Sequence, residues 1–249
     1  MIPTSGHLEE LRQRLIISFG AIFLFAALSY LFAEQIARFF MTPLFLASPT
    51  LIKLVYTNLT EAFITYLKLS FILGIIFSIP VLLYELWMFI APGLHANEKK
   101  TVLIVVFWAT LLFAAGAGFA FFIVLPRALH FFMGFASPQL TPLPKLSGYL
   151  TFVARTALAF GLAFEIPFLM VAAAKIGWVK RSYFSSKRKY FFPAILLLSF
   201  LLTAGDLMAA ILLCLPLFAL YESGILIIRV FTREPENTDA PGSDQDEKE

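Results

Sequence analysis

Val102-Leu-Ile-Val-Val-Phe-Trp-Ala-Thr-Leu-Leu-Phe-Ala-Ala-Gly-Ala-Gly-Phe-Ala-Phe-Phe-Ile-Val-Leu125 is a run of 24 residues without a charge. As a helix rising ~1.5 Å per residue it is long enough to cross the ~30 Å hydrocarbon core of a bilayer. A backbone in lipid must satisfy its own hydrogen bonds, which leaves helices or closed barrels. Ten-residue segments of alternating polarity, the mark of a barrel, are absent. The run is therefore read as one spanning helix.

Similar runs lie on either side of it, giving about six spans near residues 15–33, 69–90, 102–125, 149–174, 191–204 and 207–228. With 60% hydrophobic and 14% charged residues, a chain of 249 residues carries more apolar surface than a soluble core of its size can bury. The fifth run covers only about 21 Å, so either the bilayer thins there or Lys189 and Tyr190 snorkel and extend it. The chain is thus expected to be an all-α membrane protein. Residues 1–14 form a cytoplasmic amphipathic segment, 15–230 the membrane domain, and 231–249 a disordered acidic tail. The start lacks the features of a cleaved signal or transit segment, so the first span is expected to be retained.

Lys and Arg near span ends set orientation, because they translocate reluctantly. Arg12, Arg14, Lys99, Lys100, the basic run from Lys175 to Lys189, Arg229 and Arg233 fall on the side of the N-terminus. Only Arg38, Lys53, Lys68, Arg127 and Lys145 oppose them, so both termini are expected to be cytoplasmic, with three loops outside. The first outside loop, roughly residues 34–68, is expected to form a partly helical cap, and the second spans roughly residues 126–148. The net charge of +3 arises from separate basic and acidic blocks and does not suggest nucleic acid. Cys214 stands alone in an apolar run and His7, His95 and His130 are dispersed, so no metal site and no cofactor is expected. Neither a phosphate-binding loop nor a catalytic triad pattern is present, which argues against an enzyme.

Two cytoplasmic segments carry polar groups of interest. In Ser5-Gly-His-Leu-Glu-Glu-Leu-Arg-Gln-Arg-Leu15, Thr4 or Ser5 can cap a helix whose Leu8, Leu11 and Leu15 share a face. Glu10 and Arg14 stand four apart and could simply pair. In Phe89-Ile-Ala-Pro-Gly-Leu-His-Ala-Asn-Glu98, Pro92 and Gly93 end a span, while Asn97 and Glu98 suit the start of the next helix. Glu165 lies near the centre of the fourth span, where an ionisable group costs several kcal/mol and is expected to avoid lipid. Arg155, about ten residues away on the same helix, is too distant to pair with it and is expected to snorkel outward.

His7-Leu-x-Glu10-Leu-Arg12 and Phe89-x-Ala-Pro-Gly-Leu94 followed by Glu98 resemble the two signatures of the TatC family, the multi-spanning subunit of the twin-arginine protein translocase. Pro43, Phe122-Ile-Val-Leu-Pro126, Phe164-Glu-Ile-Pro167 and Asp206 follow in the family's order, so the resemblance runs from about His7 to Arg229. It implies a concave, glove-like bundle in the plasma (inner) membrane, capped by the first two external loops. It also implies a receptor for twin-arginine signal peptides of folded cargo. Glu10 and Glu98, with Phe89 and Arg12, would form the signal-peptide site, and Glu165 would line a polar intramembrane groove. Pro43, Phe121 and Asp206 would serve partner contact or structure. The implied partners are single-span TatA/TatB-type subunits in an oligomeric complex driven by the proton gradient. Ala204 and Gly205 stand where the family often has prolines. The alternative is a secondary transporter with Glu165 and Arg155 in a midplane site.

Overall fold

The computed structural model describes residues 4–47, 54–56, 58–90, 99–134, 143–175, 183–203, 205 and 207–231. Its helices are α1 (Thr4–Leu31), α2 (Ala33–Ala47), α3 (Leu59–Ile90), α4 (Lys99–Phe119), α5 (Leu125–Met133), α6 (Leu146–Lys175), α7 (Tyr183–Ser186), α8 (Arg188–Leu202) and α9 (Leu207–Phe231). Four stretches of the described helices are long and apolar enough to cross a membrane: Leu8–Leu31, Leu59–Phe89, Val102–Met133 and Leu146–Ala174. The runs expected at 191–204 and 207–228 coincide with α8 and α9.

Two boundaries differ from the sequence reading. α3 starts at Leu59, ten residues before the apolar run at 69, because Glu61 and Lys68 interrupt hydropathy without interrupting the helix. The helical path that begins with α4 also runs past residue 125, where the third apolar run ends. Between α4 and α5 lies a π-helical turn, Ala120–Val124, and α5 carries Pro126 in its first turn. A proline inside a helix lacks an N–H and its ring crowds the carbonyl four residues back. The wider π turn just before Pro126 makes that room, and the chain continues helical to Met133. What hydropathy marks as the start of a loop is therefore helix.

The buried residues fall into two clusters. In the first, Ala37, Phe40 and Leu44 of α2 meet Leu125 and Leu129 of α5 over the first halves of α3 and α6, where Leu69, Leu73, Leu150 and Val153 are buried. A short parallel bridge joins the segments that precede α3 and α6: Val55 N–H donates to the Pro144 carbonyl at 3.2 Å, and Leu146 N–H to the Val55 carbonyl at 2.9 Å. Tyr149 ties α6 to α2 by donating its hydroxyl to the Phe40 carbonyl at 2.8 Å. Tyr149→Phe keeps the ring and removes this bond, so thermal unfolding in detergent is expected to show a loss of about 1 kcal/mol.

The second cluster joins α6, α8 and α9 through Phe160, Met170, Ile195, Leu217 and Tyr221, with the lone Cys214 buried among them. Arg188 of α8 donates to Glu222 of α9 at 2.7 Å. The α8–α9 turn is closed by Gly205, whose φ of +89° is the left-handed region that favours glycine, and its N–H reaches the Phe200 carbonyl at 3.0 Å.

Candidate functional site at the mouth of the α1–α3 groove

α1 packs on α3 through a close approach: a Cβ built on Gly74 would lie 2.7 Å from both the Ala26 Cβ and the Ile22 carbonyl oxygen. Small residues at such a seam let two membrane helices come together without a hydrophobic driving force. Toward the N-terminal end of α1 the seam opens into a groove of about 380 Å³. Leu11, Leu15 and Phe19 line it from α1, and Leu82, Leu86 and Phe89 from α3.

Three charged side chains meet at this groove. Arg14 donates to Glu10 Oε1 through Nε at 3.1 Å and Nη2 at 2.5 Å, and through Nη1 to Glu85 Oε2 at 3.0 Å. The pairing with Glu10 is the local i,i+4 contact that the spacing allows. The pairing with Glu85 crosses from α1 to α3. Glu85 and Arg14 are largely buried, with side chains 11% and 18% exposed, while Glu10 stands at the edge at 35%. A buried carboxylate needs a partner, and here one guanidinium serves two carboxylates. With both acids ionised the cluster keeps one excess negative charge, at an apolar groove that Arg14 and Glu85 line and Glu10 joins through Arg14.

The residues expected to act together are only partly assembled. Glu10 and Phe89 stand at the same groove mouth, Glu10 through its bond to Arg14 and Phe89 in the groove wall. Arg12 faces away: its side chain is 68% exposed and pairs with Glu9. Glu98 and Asp206 lie outside the described residues. Glu85 was missed from sequence, although the rule that singled out Glu165, an acid inside an apolar run, applies equally to it. Pro43 is fully buried within α2, and Phe121 is buried against Phe39, their rings stacked at 4.7 Å.

Glu165 is only 4% exposed, and neither carboxylate oxygen has a hydrogen-bond partner among the described residues. It belongs to α6, whose contact with α4 is tight: a Cβ on Gly161 would sit 2.5 Å from the Phe113 ring, and one on Gly116 2.6 Å from the Phe160 carbonyl oxygen. Because no donor is lost, Glu165→Gln is expected to leave stability unchanged or raise it. A fall of more than about 1 kcal/mol in detergent unfolding would mean that the carboxylate has a partner in the protein.

The family model described as "Sec-independent protein translocase protein (TatC)" matches residues 6–216, which include the Glu10–Arg14–Glu85 cluster and Glu165. The chain belongs to the TatC family. A Sec-independent protein translocase protein TatC from Desulforapulum autotrophicum is 38% identical over 235 residues, covering 94% of this chain and 87% of that protein. One from Aquifex aeolicus is 35% identical over 235 residues, covering 94% of this chain and 97% of that protein. The crystal structure of a twin-arginine translocase receptor TatC superposes with a TM-score of 0.83 at 35% identity, covering 91% of this chain and 100% of the other. TatC proteins are components of a protein translocase and not enzymes. With its several long apolar helices, this TatC is a multi-pass membrane protein.

Proposed function

We propose that this TatC is the receptor subunit that binds twin-arginine signal peptides at the cytoplasmic face and supports export of folded proteins, driven by the proton gradient. Six spans with both termini cytoplasmic, in the plasma membrane, place the start of α1 and the end of α3 on that face. The observation that carries the proposal is the Glu10–Arg14–Glu85 cluster, with its excess negative charge, at the mouth of an apolar groove. A guanidinium offers a planar fork that a carboxylate accepts bidentately, which a lysine ammonium cannot reproduce. Within the chain Arg14 directs two donors, Nε and Nη2, to one Glu10 oxygen, Oε1. Glu10 and Glu98 take the two arginines, and the apolar part of the signal peptide lies against the groove of Leu11, Phe19, Leu82 and Phe89. Single-span TatA/TatB-type subunits complete an oligomeric complex, with Glu165 facing its polar interior and Asp206 at a partner contact.

The test is site-specific photocrosslinking of a twin-arginine precursor and its twin-lysine variant to this protein in membranes that supply the partner subunits. Each charge-assisted bond to a carboxylate contributes about 1.5–3 kcal/mol, so Glu10→Gln and Glu98→Gln are each expected to weaken twin-arginine binding by about ten- to a hundredfold. Equal crosslinking of both precursors, unaffected by either substitution, would remove the receptor reading.

A further inference from the structure

A second groove, of about 570 Å³, lies between α3 and α6 and is lined by the first halves of both helices. Its polar lining is Lys68, Thr151 and Arg155, while Phe71, Ile75 and Leu158 stand deeper along it. No acid lines it, and neither cation makes an ion pair among the described residues. Arg155 is half-buried there, so its charge is partly removed from water with no ion-pair partner among the described residues.

The depth of the two cations is matched. Lys68 and Arg155 each stand nine residues after the start of their helices, Leu59 and Leu146, and both line this one groove. Helices of 32 and 30 residues are about 45–48 Å long against ~30 Å of hydrocarbon, so their ends extend about 8 Å beyond it on each side. The two Cα atoms then lie about one turn below the hydrocarbon boundary, near 14 Å from the helix starts. Side chains on a helix lean toward its N-terminus, and long basic ones snorkel, so both charges reach the phosphate layer. Phe71, Ile75 and Leu158 follow at acyl-chain depth. Cationic donors above and apolar wall below are the complement of an anionic amphiphile.

We propose that this groove holds one anionic phospholipid of the adjoining leaflet. Its phosphodiester sits between Lys68 and Arg155 with Thr151 donating, and one acyl chain lies along Phe71, Ile75 and Leu158. The site is separate from the α1–α3 groove and does not depend on signal-peptide binding.

The experiment is native mass spectrometry of the full chain released from detergent, titrated with dioleoylphosphatidylglycerol, dioleoylphosphatidylcholine or inorganic phosphate. One phosphatidylglycerol per chain is expected to bind at least fivefold more tightly than phosphatidylcholine, and inorganic phosphate is expected not to compete. Near a membrane surface each basic residue is worth roughly fivefold in affinity for anionic lipid, so Lys68→Gln with Arg155→Gln is expected to weaken phosphatidylglycerol about 25-fold. Arg155→Lys, which keeps the charge and the fold, is expected to preserve the preference. Equal binding of the two lipids, a preference that survives the double substitution, or displacement by phosphate alone would overturn the proposal. So would displacement of the lipid by a carboxylate-bearing single-span peptide of higher affinity, which would assign the groove to a protein partner.

Discussion

Arg14→Ala is expected to destabilise this TatC by about 3 kcal/mol, and adding Glu85→Leu to the same chain is expected to recover most of that loss. Arg14 is the partner that the structure gives Glu85, at 3.0 Å, and Glu85 is largely buried on α3. Removing one member of a buried pair leaves the other desolvated and uncompensated, at a cost of about 3–5 kcal/mol, whereas replacing both by apolar groups is often neutral. The lower end applies because Glu10 lies at the edge and can be hydrated when Arg14 is gone. Arg14→Lys is expected to fall between, since an ammonium cannot span both carboxylates as the guanidinium does. Equilibrium unfolding in mixed micelles, run as a double-mutant cycle, reads the coupling directly. Additive effects of the two substitutions would show that the α1–α3 pair does not hold these helices together.

Gly116→Val should cost at least as much, for a steric reason. A Cβ at Gly116 would lie 2.6 Å from the carbonyl oxygen of Phe160 and 2.7 Å from the Phe164 ring. A ring can turn aside, but a backbone carbonyl inside α6 moves only if the helix moves. Forcing side-chain atoms into a packed seam costs about 1–3 kcal/mol where neighbours can adjust, and about 3 kcal/mol or more is expected here. Gly118, two residues on, has open space around its Cβ position. Gly118→Ala is therefore expected to be neutral or to stabilise α4 by up to about 1 kcal/mol through helix propensity. Similar unfolding midpoints for the two variants would contradict the close α4–α6 packing. Because Glu165 stands next to Phe164 on α6, Gly116→Val is also expected to expose its carboxylate to water-soluble carbodiimide.

Of the candidate site, the Glu10–Arg14 contact alone was legible from spacing; the binding roles of Glu10, Phe89, Arg12 and Glu98 were what the family resemblance implied. Glu10 and Arg14 meet because residues four apart on a helix are neighbours, and that contact forms in α1 as the sequence allows. Glu85 was not legible in the same way, since its partner is 71 residues distant and becomes a neighbour only when α1 seats on α3. Pro126 misled in the opposite direction. A proline after an apolar run reads as an ending, yet a π turn just before it keeps the helix going to Met133.

What the sequence determined by itself was the solvent and the element type. Long uncharged runs require lipid around them, and lipid leaves the backbone no acceptable structure here but helix. Which faces pack was decided only in three dimensions. In a soluble helix an apolar stripe points to the core, but in a membrane helix the lipid-facing and protein-facing sides are equally apolar, so the pattern carries no direction. Phe107 and Trp108 are exposed while Phe113 is buried on the same α4, and hydropathy treats all three alike. The pairing of α1 with α3 through Gly74, and of α4 with α6 through Gly116 and Gly161, depends on shape at each seam. Those seams set where Glu85 and Glu165 are buried and where the two grooves open.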